Sequence, residues 1–123
     1  MTRHDLRHVV SDAPRVMVVD GSKLVRKLLG DVLAKELPNA TVFGCDSVAS
    51  ARTQLAAGDV DLVTTSLALP DGDGLAIADA VRASAGQAYV PVIVVSGEAQ
   101  ARREARTMGE EVTDYFDKSL GMG

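Results

Sequence analysis

The sequence predicts an α/β protein built as a doubly wound, five-stranded parallel sheet, and three observations predict it. Short continuous runs of branched aliphatic residues, such as Val16 to Val19 and Val90 to Val95, have the length and composition of strands buried on both faces. Stretches of helical period lie between such runs, so strand and helix alternate along the chain. The residues are 46% hydrophobic but only 3% aromatic, so the core has to be assembled from Val, Leu, Ile and Ala.

The first strand, Val16 to Val19, ends at Asp20. Apolar residues at 25, 28, 29, 32 and 33 then mark one face of a helix over Ser22 to Leu37, which Pro38-Asn39 stops. Ala40 to Cys45 reads as a second, weaker strand. Ser47 has the side chain of an N-cap for a helix running to about Ala57, and Gly58-Asp59 turns the chain. Val60 to Ser66 is the third strand, Asp73 to about Ala85 the third helix and Val90 to Val95 the fourth strand. Ala99 to Met108 is the fourth helix and Val112 to Phe116 the fifth strand. Right-handed crossovers would gather these strands into one parallel sheet whose functional crevice lies beyond their carboxyl ends. That singles out Asp20-Gly21, Ser66, Ser96-Gly97 and Lys118.

At 123 residues the chain has the size of a single domain, read here as an N-terminal arm over 1–14 and one globular unit over 15–123. Thirteen basic residues against seventeen acidic ones give a net charge of −4, which argues against nonspecific binding to nucleic acid or an anionic membrane. No apolar run approaches membrane-spanning length, so a cytoplasmic protein is expected. The single cysteine, Cys45, sits in an apolar stretch and reads as a buried structural thiol.

Marks at four strand ends carry a resemblance. Val-Met-Val-Val-Asp20-Gly21-Ser22, the run from Ser66 through Pro70-Asp71-Gly72-Asp73-Gly74, Pro91-Val-Ile-Val-Val-Ser96-Gly97 and Asp114-Tyr115-Phe116-Asp117-Lys118-Ser119 are similar, in residues and intervals, to the receiver domains of bacterial response regulators. The match covers roughly residues 15 to 119. The resemblance implies a flavodoxin-like fold with strand order 2-1-3-4-5 and a place in two-component or phosphorelay signalling. It also implies a pocket formed by Asp20, Gly21, Ser66, Ser96 and Lys118, with Ser96 and Tyr115 as the switch pair.

Two departures fall where the family does its chemistry. The phosphoacceptor aspartate aligns with Ser66, and the second member of the acidic pair aligns with Gly21; the proline after the lysine is Ser119, a lesser change. A working receiver moves a phosphoryl group onto a carboxylate while Mg²⁺, held by acidic oxygens, neutralises the developing charge. A serine hydroxyl is not nucleophilic at neutral pH without a neighbouring base, and no histidine occupies a matching position. Glycine supplies no side-chain oxygen. Asp20 alone is a poor Mg²⁺ site, so no cofactor is expected and metal binding should be weak or absent. Asp20 and Lys118 sum to zero charge, and Lys118 is expected to bond Asp20 or Ser66 directly.

The expected function is therefore a degenerate receiver acting through phosphorylation-independent protein contacts, with no catalytic residue, as the regulatory part of a larger protein. The alternative is a phosphorylatable receiver using Asp71 or Asp73, which sit several residues past the strand end. A Ser66 hydrolase lacks both a histidine and the glycines of a nucleophile elbow. A calcium loop counted from Asp71 would need a carboxylate where Arg82 stands, and Gly72-x-Gly74 has Ile77 in place of the third dinucleotide-binding glycine. Asp73 reads instead as a helix N-cap. Arg102, Arg103 and Arg106, on one side of the fourth helix beside Tyr115, form the candidate surface for an acidic partner, whether a signalling protein or an output domain. The chain stops where the family's fifth helix would begin, so that helix is expected to be missing or truncated. A homodimer through the helix 4/strand 5 face or through the uncovered sheet face is the other candidate contact. Leu6, Val9 and Val10 of the arm could cover that face, although a disordered arm is the default.

Overall fold

The computed structural model describes residues 13–96 and 114–117, with the backbone alone for Ser96 and the last strand. In chain order these residues form β1 (Arg15–Val19), α1 (Lys23–Glu36), β2 (Thr41–Cys45), α2 (Val48–Ala57), β3 (Leu62–Thr65), β4 (Ala68–Leu69), β5 (Gly72–Asp73), α3 (Gly74–Ala83), β6 (Val92–Ser96) and β7 (Asp114–Asp117). Five strands make one parallel sheet in the order β2-β1-β3-β6-β7, the order expected, and β4 and β5 make a separate antiparallel hairpin.

Alternation along the strands splits the core into two layers, because successive side chains leave opposite faces of a sheet. Met17, Val19, Val63 and Val92 face Ala51 and Leu55 of α2 and Ile77, Ala78 and Val81 of α3. Val16, Val18, Leu62, Ile93 and Val95 form the other layer with Leu29 and Leu33 of α1. Ile77, Val81, Val92 and Val94 are fully buried, and each such side chain contributes about 1.5–3 kcal/mol of transfer free energy.

Local chemistry starts and stops the helices. Ser22 accepts a hydrogen bond from the Val25 N–H and begins α1; Leu37 ends it, one residue before Pro38. Ser47 and Ser50 form a reciprocal capping box on α2, and Gly58 and Asp59, with φ of 88° and 63°, turn the chain into β3. The expected boundaries need trimming. β3 spans four residues rather than seven, because Val60 and Asp61 bond to Gln87 and Arg15 instead of joining the ladder, and Ser66 turns into the following loop. The third helix stops at Ala83, since the Ser84 N–H closes on the Val81 carbonyl and the Ser84 hydroxyl on that of Ala80. The fourth strand starts at Val92, after a run of turns over 85–89. The expected fourth helix, Ala99 to Met108, the arm, and the place of a fifth helix lie outside the described residues.

Candidate functional site

Parallel pairing brings the carboxyl ends of β1, β2 and β3 side by side. The Asp20 N–H donates to the Cys45 carbonyl at 3.0 Å and the Ser66 N–H to the Val19 carbonyl at 2.8 Å. Asp20 and Ser66 are thus set in adjacent strand ends by backbone geometry alone, and both are buried, at 4% and 7% exposure. The Asp20 carboxylate accepts from the Ser22 N–H at 2.9 Å, an Asx turn that closes the Asp20-Gly21-Ser22 corner. Arg26, one turn into α1, reaches back and donates Nη1 to the Asp20 carbonyl at 2.6 Å.

Ser66 spends its hydroxyl locally, donating to the Ala68 carbonyl at 3.1 Å, while its own carbonyl accepts from Thr65 Oγ1 at 2.9 Å. The loop beyond it is held from three directions. Pro70 lies beside Gly21, where an added Cβ would meet its Cδ at 3.4 Å. The Gly74 N–H donates to the Leu67 carbonyl at 2.8 Å, and a Cβ at Gly74 would stand 2.5 Å from the Ser66 carbonyl oxygen. That close approach is why a glycine opens α3, and it accounts for Gly74 without any nucleotide.

Asp71 supplies the third tie. Its Oδ1 accepts from the Val48 N–H at 2.7 Å and its Oδ2 from the Ala49 N–H at 3.0 Å, so this carboxylate caps α2 from 23 residues away. These backbone donors hold its carboxyl below the usual aspartate range. Asp73 caps α3 by accepting from the Ala76 N–H at 3.2 Å. Both alternative acceptor carboxylates are therefore engaged at helix N-termini, Asp73 in the role expected of it.

Ser96 ends β6 in register with Asp117, and Tyr115 pairs with Val94; the side chains of the two residues expected as a switch pair, like all of Gly97, Lys118, Arg102, Arg103 and Arg106, lie outside the described residues. The expected Lys118 contact with Asp20 or Ser66 therefore has no geometry here. Cys45, at the end of β2, is buried as expected, and burial pushes its thiol above the ordinary range. Among the described residues no group of three or more His, Cys, Asp or Glu is arranged to hold a metal ion, and no helix is long and apolar enough to cross a membrane.

Three structural roles were not expected from the sequence: the β4–β5 hairpin, the capping of α2 by Asp71, and Gln87. Gln87 is buried, accepts from the Val60 N–H at 2.8 Å and donates Nε2 to the Leu55 carbonyl at 2.9 Å, tying the α2–β3 turn to the loop after α3. The Pro70-Asp71-Gly72 turn chemistry could have disclosed the hairpin; nothing local to Gln87 discloses its partners.

Sheet order and strand-end placement are those of a receiver domain, and comparison with known proteins agrees. Residues 16–123 match the family model described as the response regulator receiver domain. The chain belongs to that family. It is 34% identical over 112 residues to a protein-glutamate methylesterase/protein-glutamine glutaminase of a Nocardioides species, covering 89% of this chain and 30% of that protein. It is 30% identical over 109 residues to the chemotaxis protein CheY of Treponema pallidum, covering 86% and 73%. Among solved structures, the response regulator TrrA of Thermotoga maritima, in complex with Mg²⁺ and BeF, superposes with a TM-score of 0.74 at 22% identity, covering 88% of this chain and 89% of that one. The chain thus spans under a third of the methylesterase relative's length.

Proposed function

We propose that this chain is a degenerate receiver, the regulatory module of a larger signalling protein, and that it acts by phosphorylation-independent contact with a protein partner or output domain. The observation that carries this reading is Ser66. At the strand end that faces Asp20 the family's carboxylate is replaced by a buried hydroxyl already donated to the Ala68 carbonyl. No acyl phosphate forms on a hydroxyl, and among the described residues there is no histidine to act as base.

The fit to Mg²⁺ is correspondingly poor. A hard dication wants several oxygen ligands with charge to match, and the three positions provide one carboxylate, Asp20, beside Gly21 and a neutral Ser66. No step is assigned to a metal. The alternative, phosphoryl transfer to Asp71 or Asp73, is opposed by the helix N-termini those carboxylates cap, since using either would uncap α2 or α3.

The module itself is not an enzyme on this reading, works in the cytoplasm, and leaves any catalytic output to residues outside this chain. Exposure to acetyl phosphate with Mg²⁺, followed by intact mass and NMR of Ser96, Tyr115 and Lys118, tests it. Unchanged mass and unmoved resonances are expected. A phosphoryl adduct would overturn the proposal, and a Tyr115 shift would restore a working switch.

A further inference from the structure

Among the described residues β2 is an edge of the sheet, with β1 as its sole neighbour. The Thr41 N–H donates to the Pro14 carbonyl and the Cys45 carbonyl accepts from the Asp20 N–H, so the odd-numbered residues of β2 turn their backbone groups toward β1. Successive residues of a strand alternate, so Val42 and Gly44 turn theirs away from the sheet. On that register their N–H and C=O groups have no strand to pair with among the described residues.

Beside this edge runs a cleft of about 610 Å³ between β2 and the flank of α1. Gly30 and Ala34 leave its α1 wall low. Its charge is lopsided: Lys23, Arg26 and Lys27 line it against one acid, Asp31, which already holds Lys27 at 3.3 Å. Gly44 contributes a second feature. A Cβ there would lie 3.0 Å from Arg26 Cδ, so the missing side chain lets Arg26 pass over the strand, lining the cleft while its Nη1 holds the Asp20 carbonyl. Edge strands are usually protected by bulges or inward charges. Here, open backbone groups and a basic wall stand side by side.

We propose that this groove docks an extended, acidic segment of a partner protein, added parallel or antiparallel beside β2 as a sixth strand. Main-chain bonds to Val42 and Gly44 would supply register, and Lys23, Arg26 and Lys27 would select acidic side chains. The inference rests on the reading of the chain as an interaction module, and a phosphorylatable pocket would leave its test unchanged.

The probe is a blocked hexapeptide alternating valine and glutamate, titrated into the full chain and followed by amide NMR at low ionic strength. Shifts centred on Val42, Gly44 and the first half of α1 are expected, weakening as salt is added. A Lys23→Glu/Lys27→Glu variant, altered at two exposed positions and losing only the surface pair of Lys27 with Asp31, should bind about tenfold more weakly. N-methylation of alternate peptide amides should abolish the shifts. No shifts at millimolar peptide, equal binding of a valine–lysine peptide, or shifts confined to other elements would each overturn the proposal. So would dilution-dependent shifts of Val42 and Gly44 without peptide, since the occupant would then be a second copy of this chain.

Discussion

Three glycines around the pocket should respond to alanine in a fixed order. At Gly74 the new methyl would meet the Ser66 carbonyl oxygen at 2.5 Å, Thr65 Cγ2 at 3.1 Å and Leu67 Cα at 3.3 Å. Two of these are backbone atoms, held by the Gly74 N–H bond to Leu67, so relief requires moving the loop. Overpacking of this kind costs roughly 1–3 kcal/mol, and the backbone contacts put it at the upper end, about 3. Alanine regains up to about 1 kcal/mol of helix propensity. The net is a loss of about 2 kcal/mol, which for a domain of this size lowers Tm by roughly 8 °C. At Gly72 the methyl meets Val48 Cγ2 at 3.0 Å, one buried, branched side chain that must shift by a few tenths of an ångström, and the cost should fall between the other two, at about 1 kcal/mol. At Gly21 the nearest atom is Pro70 Cδ at 3.4 Å, an ordinary contact, so alanine should be near neutral. Thermal and urea unfolding of the three variants measures the order. A Gly21→Ala loss equal to that of Gly74→Ala would refute the account of how this loop is packed.

Other expectations follow from single contacts. Gln87→Ala strands the buried Val60 N–H and leaves the Leu55 carbonyl with the Gly58 N–H alone, and should cost about 1–3 kcal/mol in urea unfolding, whereas a surface change such as Lys35→Ala should cost little. Asp71 has its folded-state pKa lowered by the Val48 and Ala49 amides. Its stabilisation is therefore complete above the unfolded carboxylate pKa, about 4, and is lost as pH falls through the lower folded value. Amide exchange at Val48 and Ala49 should accelerate in Asp71→Ala, less so in Asp71→Asn, and unchanged exchange in both would remove the cap. Cys45, buried with a raised pKa, should resist a thiol reagent in native protein and react fully after denaturation; fast native labelling would contradict its placement.

The sheet was legible because aliphatic runs and helical periods are local signals, and each strand of the order 2-1-3-4-5 carried one. Asp20, Ser66 and Asp73 were legible for the same reason: a strand end or a helix start fixes where a residue must sit. Asp71 and Gln87 were not, since their partners lie 23 and 27 residues away and no periodicity encodes a long-range hydrogen bond. Nothing in the sequence singles out Arg26. Its reach to the Asp20 carbonyl depends on Gly44 having no side chain, a fact that belongs to the packing of α1 on β2.

We propose that Gly21 and Ser66 silence the receiver pocket in which Asp20 remains. The most direct test is beryllofluoride with Mg²⁺, added in parallel to the native chain and to a Gly21→Asp/Ser66→Asp variant, with amide NMR as the readout. If Gly21 and Ser66 are the silencing changes, the native spectrum does not move and the variant spectrum shifts at the ends of β1, β3 and β6. A native chain that shifts would contradict the proposal, and a variant as silent as the native chain would show that these two positions are not what disables the site.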